Sequence, residues 1–325
     1  RKAGRRVLVI DDRVPYPSLG AGYPRAAEIL RTLVADGWFV TFYPVLFPHD
    51  NQAAIRAAFP RGIEFMLGLG QGGLRHFLAE RQDYYHIIMI SRPHNMRDFL
   101  ATAPNEIAAR IIYDAEAIFA PREWRRREIV DRPLSRSRRE AMLRAEMDLA
   151  RTAQTVIAVS QSDARAFREA GCADVRVLGH ALRVEPTEAG FDERRDFLFV
   201  GALDSDLSPN ADSLLWFAGV VMPLLDRLIG DRYKLLVAGR CTAPRVIALS
   251  GPRIRLLQRI DDLSALYARA RVFVAPTRYA AGIPHKVHEA AAKGLPVVIT
   301  PLLAEQLGWT HDAEVLVGAT PSALA

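Results

Sequence analysis

R-R-V-L-V-I-D-D-R-V-P-Y-P-S-L-G-A-G-Y-P-R-A-A-E-I-L-R-T-L-V-A-D-G-W-F-V-T-F-Y-P-V, residues 5 to 45, carries the reading that decides the fold. Its first eight residues are a short apolar run closed by two acids, the pattern of a buried parallel strand ending at its functional edge. A loop with Gly20 and Gly22 follows. R-A-A-E-I-L-R-T-L-V-A-D then has helical periodicity and stops at Gly37, and W-F-V-T-F-Y-P-V reads as a second strand. The stretch is one β-α-β unit.

The rhythm continues, with strands expected at Tyr85–Ile90, Arg110–Tyr113 and Thr155–Val159 and R-V-L-G-H-A-L closing the half near residue 181. R-V-E-P-T-E-A-G-F-D-E-R-R-D is polar, holds Pro and Gly, lacks periodicity, and reads as a linker. The pattern then restarts with D-F-L-F-V-G-A-L, the helix N-A-D-S-L-L-W-F-A-G-V-V-M-P-L-L, Y-K-L-L-V-A-G-R, I-R-L-L-Q, D-D-L-S-A-L-Y-A-R-A, V-F-V-A-P and V-V-I-T-P. Strands alternating with helices imply a parallel sheet covered on both faces, here built twice. The expected division is 1–181 and 182–325, two doubly wound α/β domains. Ligands of such sheets sit beyond the carboxyl ends of the strands, so a cleft lined by two loop-bearing edges is expected. A start without Met and an end at S-A-L-A suggest a segment of a longer protein, truncated at its C-terminal side.

Composition bounds the function. The chain has 325 residues, half of them hydrophobic and a quarter charged, which is the profile of a soluble globular protein. No apolar run reaches the roughly 18–20 residues of a membrane span, and the N-terminus has no signal-peptide core. Cys172 and Cys241 lack metal-ligand spacing and read as small hydrophobes in a reducing compartment. The net charge of +6 owes much to P-R-E-W-R-R-R-E-I-V-D-R-P-L-S-R-S-R-R-E, residues 121–140. Interleaved acids make this a solvated, ion-paired helix face; the alternative is a surface for anionic lipid or a phosphate-bearing acceptor, spanning about residues 121–151. No nucleic-acid module accompanies the charge.

Chemistry concentrates after V-F-V-A-P. In R-Y-A-A-G-I-P-H-K-V-H-E-A-A-A-K-G-L-P-V-V, residues 278–298, the loop Gly282–Ile283–Pro284 lets backbone N–H groups approach an anion at a helix start. Lys286 can sit against a diphosphate, and Glu289, one turn on, can accept two ribose hydroxyls. The bland alternative pairs Glu289 with Lys293 on the surface. Other strand ends add Gly201, where a glycine admits a phosphate or sugar to the backbone. Gly239 and Arg240 follow the next strand, the guanidinium suited to phosphate oxygens; Arg259 and Ile260 supply backbone to border a base. In the first half, Gly20 and Gly22 do not fit a dinucleotide fingerprint, and their loop is expected to line the acceptor side. Asp114 and Glu116 are expected to orient or deprotonate an acceptor hydroxyl, with His94 a second acceptor-side candidate. Arg122 and Glu123 read as ion pairs of the arginine-rich helix. D-S-D at Asp204–Asp206 reads as loop capping, so no metal or cofactor is expected.

Taken in order, F-V-G-A-L, L-V-A-G-R, V-F-V-A-P and G-I-P-H-K-V-H-E-A-A-A-K-G-L-P-V-V resemble the retaining glycosyltransferases of the group 1 family. The bacterial branch of polysaccharide and O-antigen assembly is the nearest, and Y-P-S-L-G-A-G and Y-D-A-E-A-I-F-A-P-R-E are similar to it. The resemblance implies the GT-B architecture, two Rossmann-like domains facing across a cleft, and covers nearly the whole chain. By position it makes Glu289 the second glutamate of the E-x7-E signature and the holder of the donor ribose, Lys286 the group facing the diphosphate, and Gly201 the turn under the phosphates. Ala281 stands where the signature has its first glutamate, and the basic residue often following the first C-domain strand is absent.

The resemblance therefore implies a cytoplasmic hexosyltransferase-type enzyme, working at the inner membrane face if the arginine-rich region meets lipid. It would move sugar from a nucleotide-sugar donor to a glycan or lipid-linked acceptor with retention and without metal. Ala281 motivates a second reading, a catalytically silent sugar-nucleotide or glycan-binding module. An epimerase on the same architecture, needing no acceptor, is a third.

Overall fold

The computed structural model describes residues 4–104 and 107–325; Arg1 to Ala3, at the head of the expected first domain, and Asn105 and Glu106 lie outside the described residues. Two compact units result. One comprises residues up to Pro121 together with Leu134–His180, the other Arg122–Pro133 together with Ala181–Ala325.

The first unit is built on seven parallel strands, β1 (Arg6–Asp11), β2 (Phe39–Pro44), β3 (Ile63–Phe65), β4 (Ile87–Ser91), β5 (Arg110–Asp114), β6 (Thr155–Ala158) and β7 (Val175–Val177), in the order 3-2-1-4-5-6-7. β1 is central, with Val7 and Val9 turned to one apolar cluster and Leu8 and Ile10 to the other. Burial on both faces explains the unbroken apolar run. Strand order reverses between β1 and β4, the kind of switch point beside which sheets of this type bind their ligands.

The second unit repeats the plan with β8 (Phe197–Val200), β9 (Leu235–Ala238), β10 (Ile254–Leu256), β11 (Val272–Ala275), β12 (Val297–Ile299) and β13 (Leu316–Val317), ordered 10-9-8-11-12-13 and all parallel. Its switch lies between β8 and β11, which places Gly201 and the 276–284 loop at the same edge. The expected helix over 210–225 is present as Pro209–Trp216, a wider π turn at Phe217–Val221, and Met222–Ile229. The widening precedes Pro223, whose ring and missing N–H disfavour a regular turn.

Sequence expected residues 183–196 to be a linker, but the segment is pinned to the second unit. Arg194, 5% exposed, donates to Ala189 O, Gly294 O and Thr187 Oγ1, while Glu185 N and Thr187 N donate to the carbonyls of Ala292 and Lys293. A polar, aperiodic stretch carries no sign of one buried guanidinium, so this went unseen. The arginine-rich stretch is ion-paired as its interleaved acids suggest: Glu123 accepts from Arg126 and Arg127, Arg136 pairs with Glu140, and Arg151 with Asp148. No helix among the described residues is long and apolar enough to cross a membrane.

Candidate functional site

At the switch of the first sheet, β1 ends in Asp11 with Asp12 next to it, β4 leads into Arg92, and β5 ends in Asp114 with Glu116 two residues on. Arg92 stands at φ 77° and Glu116 at φ 55°, left-handed backbone that turns both side chains inward against a steric preference. Arg92 Nε donates to Asp11 Oδ1 at 2.8 Å and lies 3.4 Å from Asp12 Oδ2, while its Nη2 is 3.3 Å from Glu116 Oε1. Its guanidinium also stacks 5.0 Å from the centre of the Tyr23 ring. His94 Nε2 meets Asp12 Oδ1 at 2.6 Å, and Asn95 Nδ2 donates to the same oxygen at 2.9 Å.

Behind this layer Arg25 and Asp114 form a two-pronged pair at 2.8 and 2.9 Å, both side chains 2% exposed, and Arg25 Nε donates to Leu178 O. Asp114 is thereby committed to holding the helix Tyr23–Ala35 and the chain after β7 against β5. It is closed off from any acceptor hydroxyl, so the base role expected of it falls to no group at that position. The geometry does unite Gly22 with Glu116: a β-carbon on Gly22 would lie 2.9 Å from Glu116 Oε1. Gly20, at φ 67° in open space, shapes the loop without touching the cluster.

Four carboxyls, Asp11, Asp12, Asp114 and Glu116, face two guanidiniums and His94, so negative charge is in excess. Burial works against the charge of Asp12, but the hydrogen bond from His94 and the field of Arg92 hold its carboxyl below the usual range. Burial instead pushes Glu116 well up, against the pull of Arg92, and pushes Asp11 up too. Glu116 therefore holds its proton to higher pH than an ordinary glutamate does. A carboxyl raised in the folded state binds more protons than in the unfolded chain, so it erodes stability as pH rises from its ordinary 4.5 toward its folded value. Urea titrations of wild type and Glu116→Gln are expected to show the wild type losing ground on the variant between pH 5 and pH 8.5; parallel curves would contradict this protonation.

In the second unit the loop after β11 turns at Gly282 (φ 73°), and Pro284 opens the helix His285–Ala292 with no side chain capping its first N–H groups. Gly282, Ile283 and Pro284 are all half-buried. Lys286 points back to the end of β8: Nζ donates to Asn210 Oδ1 at 2.7 Å and sits 4.6 Å from the centre of the Phe199 ring. Among the described residues no carboxylate pairs with it. Burial pulls its ammonium down to about 7.

Gly201 and Gly239 meet beside it. A β-carbon on Gly239 would fall 2.0 Å from Gly201 O, and one on Gly201 would fall 2.7 Å from the Asn210 amide, so both positions demand glycine for close approach. Gln258, at φ 56°, holds the neighbouring loops by accepting from Gly239 N and Cys241 N, leading to half-buried Ile260.

Glu289 is half-buried, its carboxyl raised by burial, with His285 Nδ1 3.9 Å away. The buried Tyr267 hydroxyl faces it at the margin of hydrogen-bonding geometry. Lys293, the partner of the bland reading, is turned to Glu185 at 3.0 Å. Arg240 departs from expectation. It is 69% exposed and clasped by Asp204 through bonds of 2.8 and 2.7 Å, because the D-S-D loop brings an acid within reach of it. Asp206 accepts from Arg245 N, so both acids of D-S-D serve the loop.

Asn210, Arg92, Asp11, Asp12 and Asn95 were missed as site residues. The paired acids after β1 and the residue after β4 were legible as strand ends at a topological switch. Asn210 gave no signal beyond its place at a helix start.

Two parallel α/β sheets of this connectivity give the chain the fold of the GT-B glycosyltransferases. Residues 194–325, within the second unit, match the family described as Glycosyl transferases group 1. Among solved structures, the chain is similar to a sucrose-phosphate synthase from Thermosynechococcus elongatus, with 16% identity over 98% of this chain and 88% of that one and a TM-score of 0.72. It is also similar to HepE of Anabaena in complex with UDP and glucose (15% identity, 99% and 88% covered, TM-score 0.66). A third is the E. coli trehalose-6-phosphate structure bound with UDP-2-fluoro glucose (12% identity, 98% and 89% covered, TM-score 0.62). At such identities the likeness is one of fold. No curated protein sequence matches the chain.

Proposed function

We propose that this chain is a glycosyltransferase that moves a sugar from a nucleoside-diphosphate donor to a hydroxyl of a glycan or lipid-linked acceptor, with retention of configuration. The observation that carries the reading is Lys286: an ammonium that donates to a neutral amide and, among the described residues, has no carboxylate partner, on the first turn of an uncapped helix, beside a double-glycine contact. An anion completes that charge arrangement, and Glu289 one turn further suits a ribose diol. UDP is the first nucleotide to try, since HepE was solved with UDP and glucose.

In the proposed reaction the acceptor hydroxyl oxygen bonds to the anomeric carbon on the face from which the diphosphate departs, the bond from the sugar to the diphosphate breaks, and the hydroxyl's proton passes to the leaving oxygen, on which charge has grown. Lys286 and the helix N-terminus meet that charge, without need of a metal in this scheme. On the acceptor side, protonated Glu116 donates to an acceptor oxygen and orients it, while Gly22 gives the carboxyl room. His94, 42% exposed and oriented through Asp12, borders the same edge of the first unit. Membrane contact through exposed arginines of residues 121–151, and a cytoplasmic location at the inner leaflet, belong to the same proposal.

Ala281 favours a second reading, a binding module without turnover, because no carboxylate opens the donor loop. Calorimetric titration with UDP, GDP, ADP and CDP, paired with UDP-glucose hydrolysis and transfer assays, separates the two. One diphosphate bound tightly together with turnover lost in Lys286→Ala supports the transferase. Binding without turnover supports the module, and no diphosphate bound at all ends both.

A further inference from the structure

Asn210 occupies a peculiar place for a helix-start residue. Ser208 Oγ caps the helix Pro209–Trp216 by accepting from Ala211 N, so the Asn210 side chain is not needed for capping. Its amide runs inward instead. Nδ2 donates to Ala202 O at 3.1 Å, which fixes the orientation of the group and aims Oδ1 at Lys286. The space it fills exists because Gly201 has no β-carbon.

An acid two residues along the same helix, Asp212, is taken by Arg278 through Nε at 3.0 Å and does not serve Lys286. Among the described residues the ammonium touches Phe199 from β8 and Asn210 from the helix, both uncharged, and its own helix also carries His285, His288 and Glu289. Burial pulls its titration down.

We propose that Asn210 is a positioning residue for anion binding. It fixes the Lys286 ammonium in place without pairing it to a carboxylate, so that the ammonium is left for the diphosphate of the donor. The proposal rests on the donor-site reading above and goes beyond it by assigning the part played by the neutral partner. A carboxylate at this place would neutralise the ammonium, and an incoming diphosphate would have to displace it. An apolar group would leave a half-buried ammonium without an acceptor, free to swing or to shed its proton.

The test is UDP titration by calorimetry from pH 6 to 9 on wild type, Asn210→Asp, Asn210→Ala and Lys286→Ala, with melting temperatures alongside. Asn210→Asp is expected to raise the melting temperature, by giving the ammonium a counter-ion, yet to lower UDP affinity at pH 7 by about tenfold, the order of one charged hydrogen bond. The pH midpoint of binding is expected to move up in this variant. Asn210→Ala is expected to bind more weakly with its midpoint moved down. A residue that merely packed would lower melting temperature and leave the midpoint in place.

Unchanged affinity and midpoint in Asn210→Asp, with UDP binding lost in Lys286→Ala, would overturn the role of Asn210 and keep the donor site. Undiminished UDP binding in Lys286→Ala would remove the donor site itself. If Asn210→Asp yields no folded protein, the midpoint in Asn210→Ala decides: a downward move supports the proposal and a fixed one overturns it.

Discussion

Lys286→Ala is expected to weaken nucleoside-diphosphate binding by about 10- to 100-fold, the loss that follows from removing a charge-assisted contact of about 1.5–3 kcal/mol. The loss should be greatest at low pH. An ammonium that titrates near 7 is charged below that value and neutral above it, so wild-type affinity declines as pH rises while the variant changes little. Folding responds in the other direction. A lysine depressed from 10.5 to about 7 binds fewer protons in the folded than in the unfolded chain across that window, and stability gains as pH rises through it. Lys286→Met should therefore be the more stable protein at pH 6.5, with the difference shrinking by pH 10. Titration calorimetry and urea unfolding at the two pH values check both halves. A variant that keeps wild-type affinity at pH 6.5 contradicts the assignment.

Asp114→Ala is expected to cost the first unit about 3–5 kcal/mol, the range for breaking a buried pair and stranding one charge. Both partners are 2% exposed, and Arg25 would lose the carboxylate that clasps it at the end of β5. The double replacement Arg25→Met with Asp114→Leu should recover most of that loss, since the desolvation cost leaves with the charges. Amide hydrogen exchange localises the effect: β1, β4 and β5 should lose protection while β8, β9 and β11 keep theirs. Full protection in Asp114→Ala would show that the pair does not hold this edge, and loss spread evenly over both sheets would show that it is not local.

The two sheets were legible because a strand buried on both faces has to be continuously apolar, and R-V-L-V-I-D, F-L-F-V and V-F-V-A leave little else to read. β3 and β13 escaped because they are two or three residues long and only partly buried, which leaves no pattern to detect. At the donor side, Lys286, Gly201 and Gly239 were drawn from strand-end position, and the structure brings them together. Arg240 was misjudged for an electrostatic reason. Sequence reports that a guanidinium stands at a strand tip, but not that Asp204, 36 positions away, reaches it first. The acceptor side suffered the same blindness in reverse. Asp114 and Glu116 are two residues apart, yet a left-handed residue at 116 sends one carboxyl to Arg92 while Arg25 holds the other.

Since residues 122–133 travel with the second unit, the polypeptide changes unit after Pro121, after Pro133 and after His180. Within the second unit that excursion supplies Arg126, Ile129 and Val130 to a hollow of about 320 Å³ floored by Leu215 and Trp216. Genetic dissection at a single point is therefore a poor way to obtain either half. A fragment cut at 181 would carry a tryptophan-bearing helix shorn of its bed, and its complement would bare an indole to water.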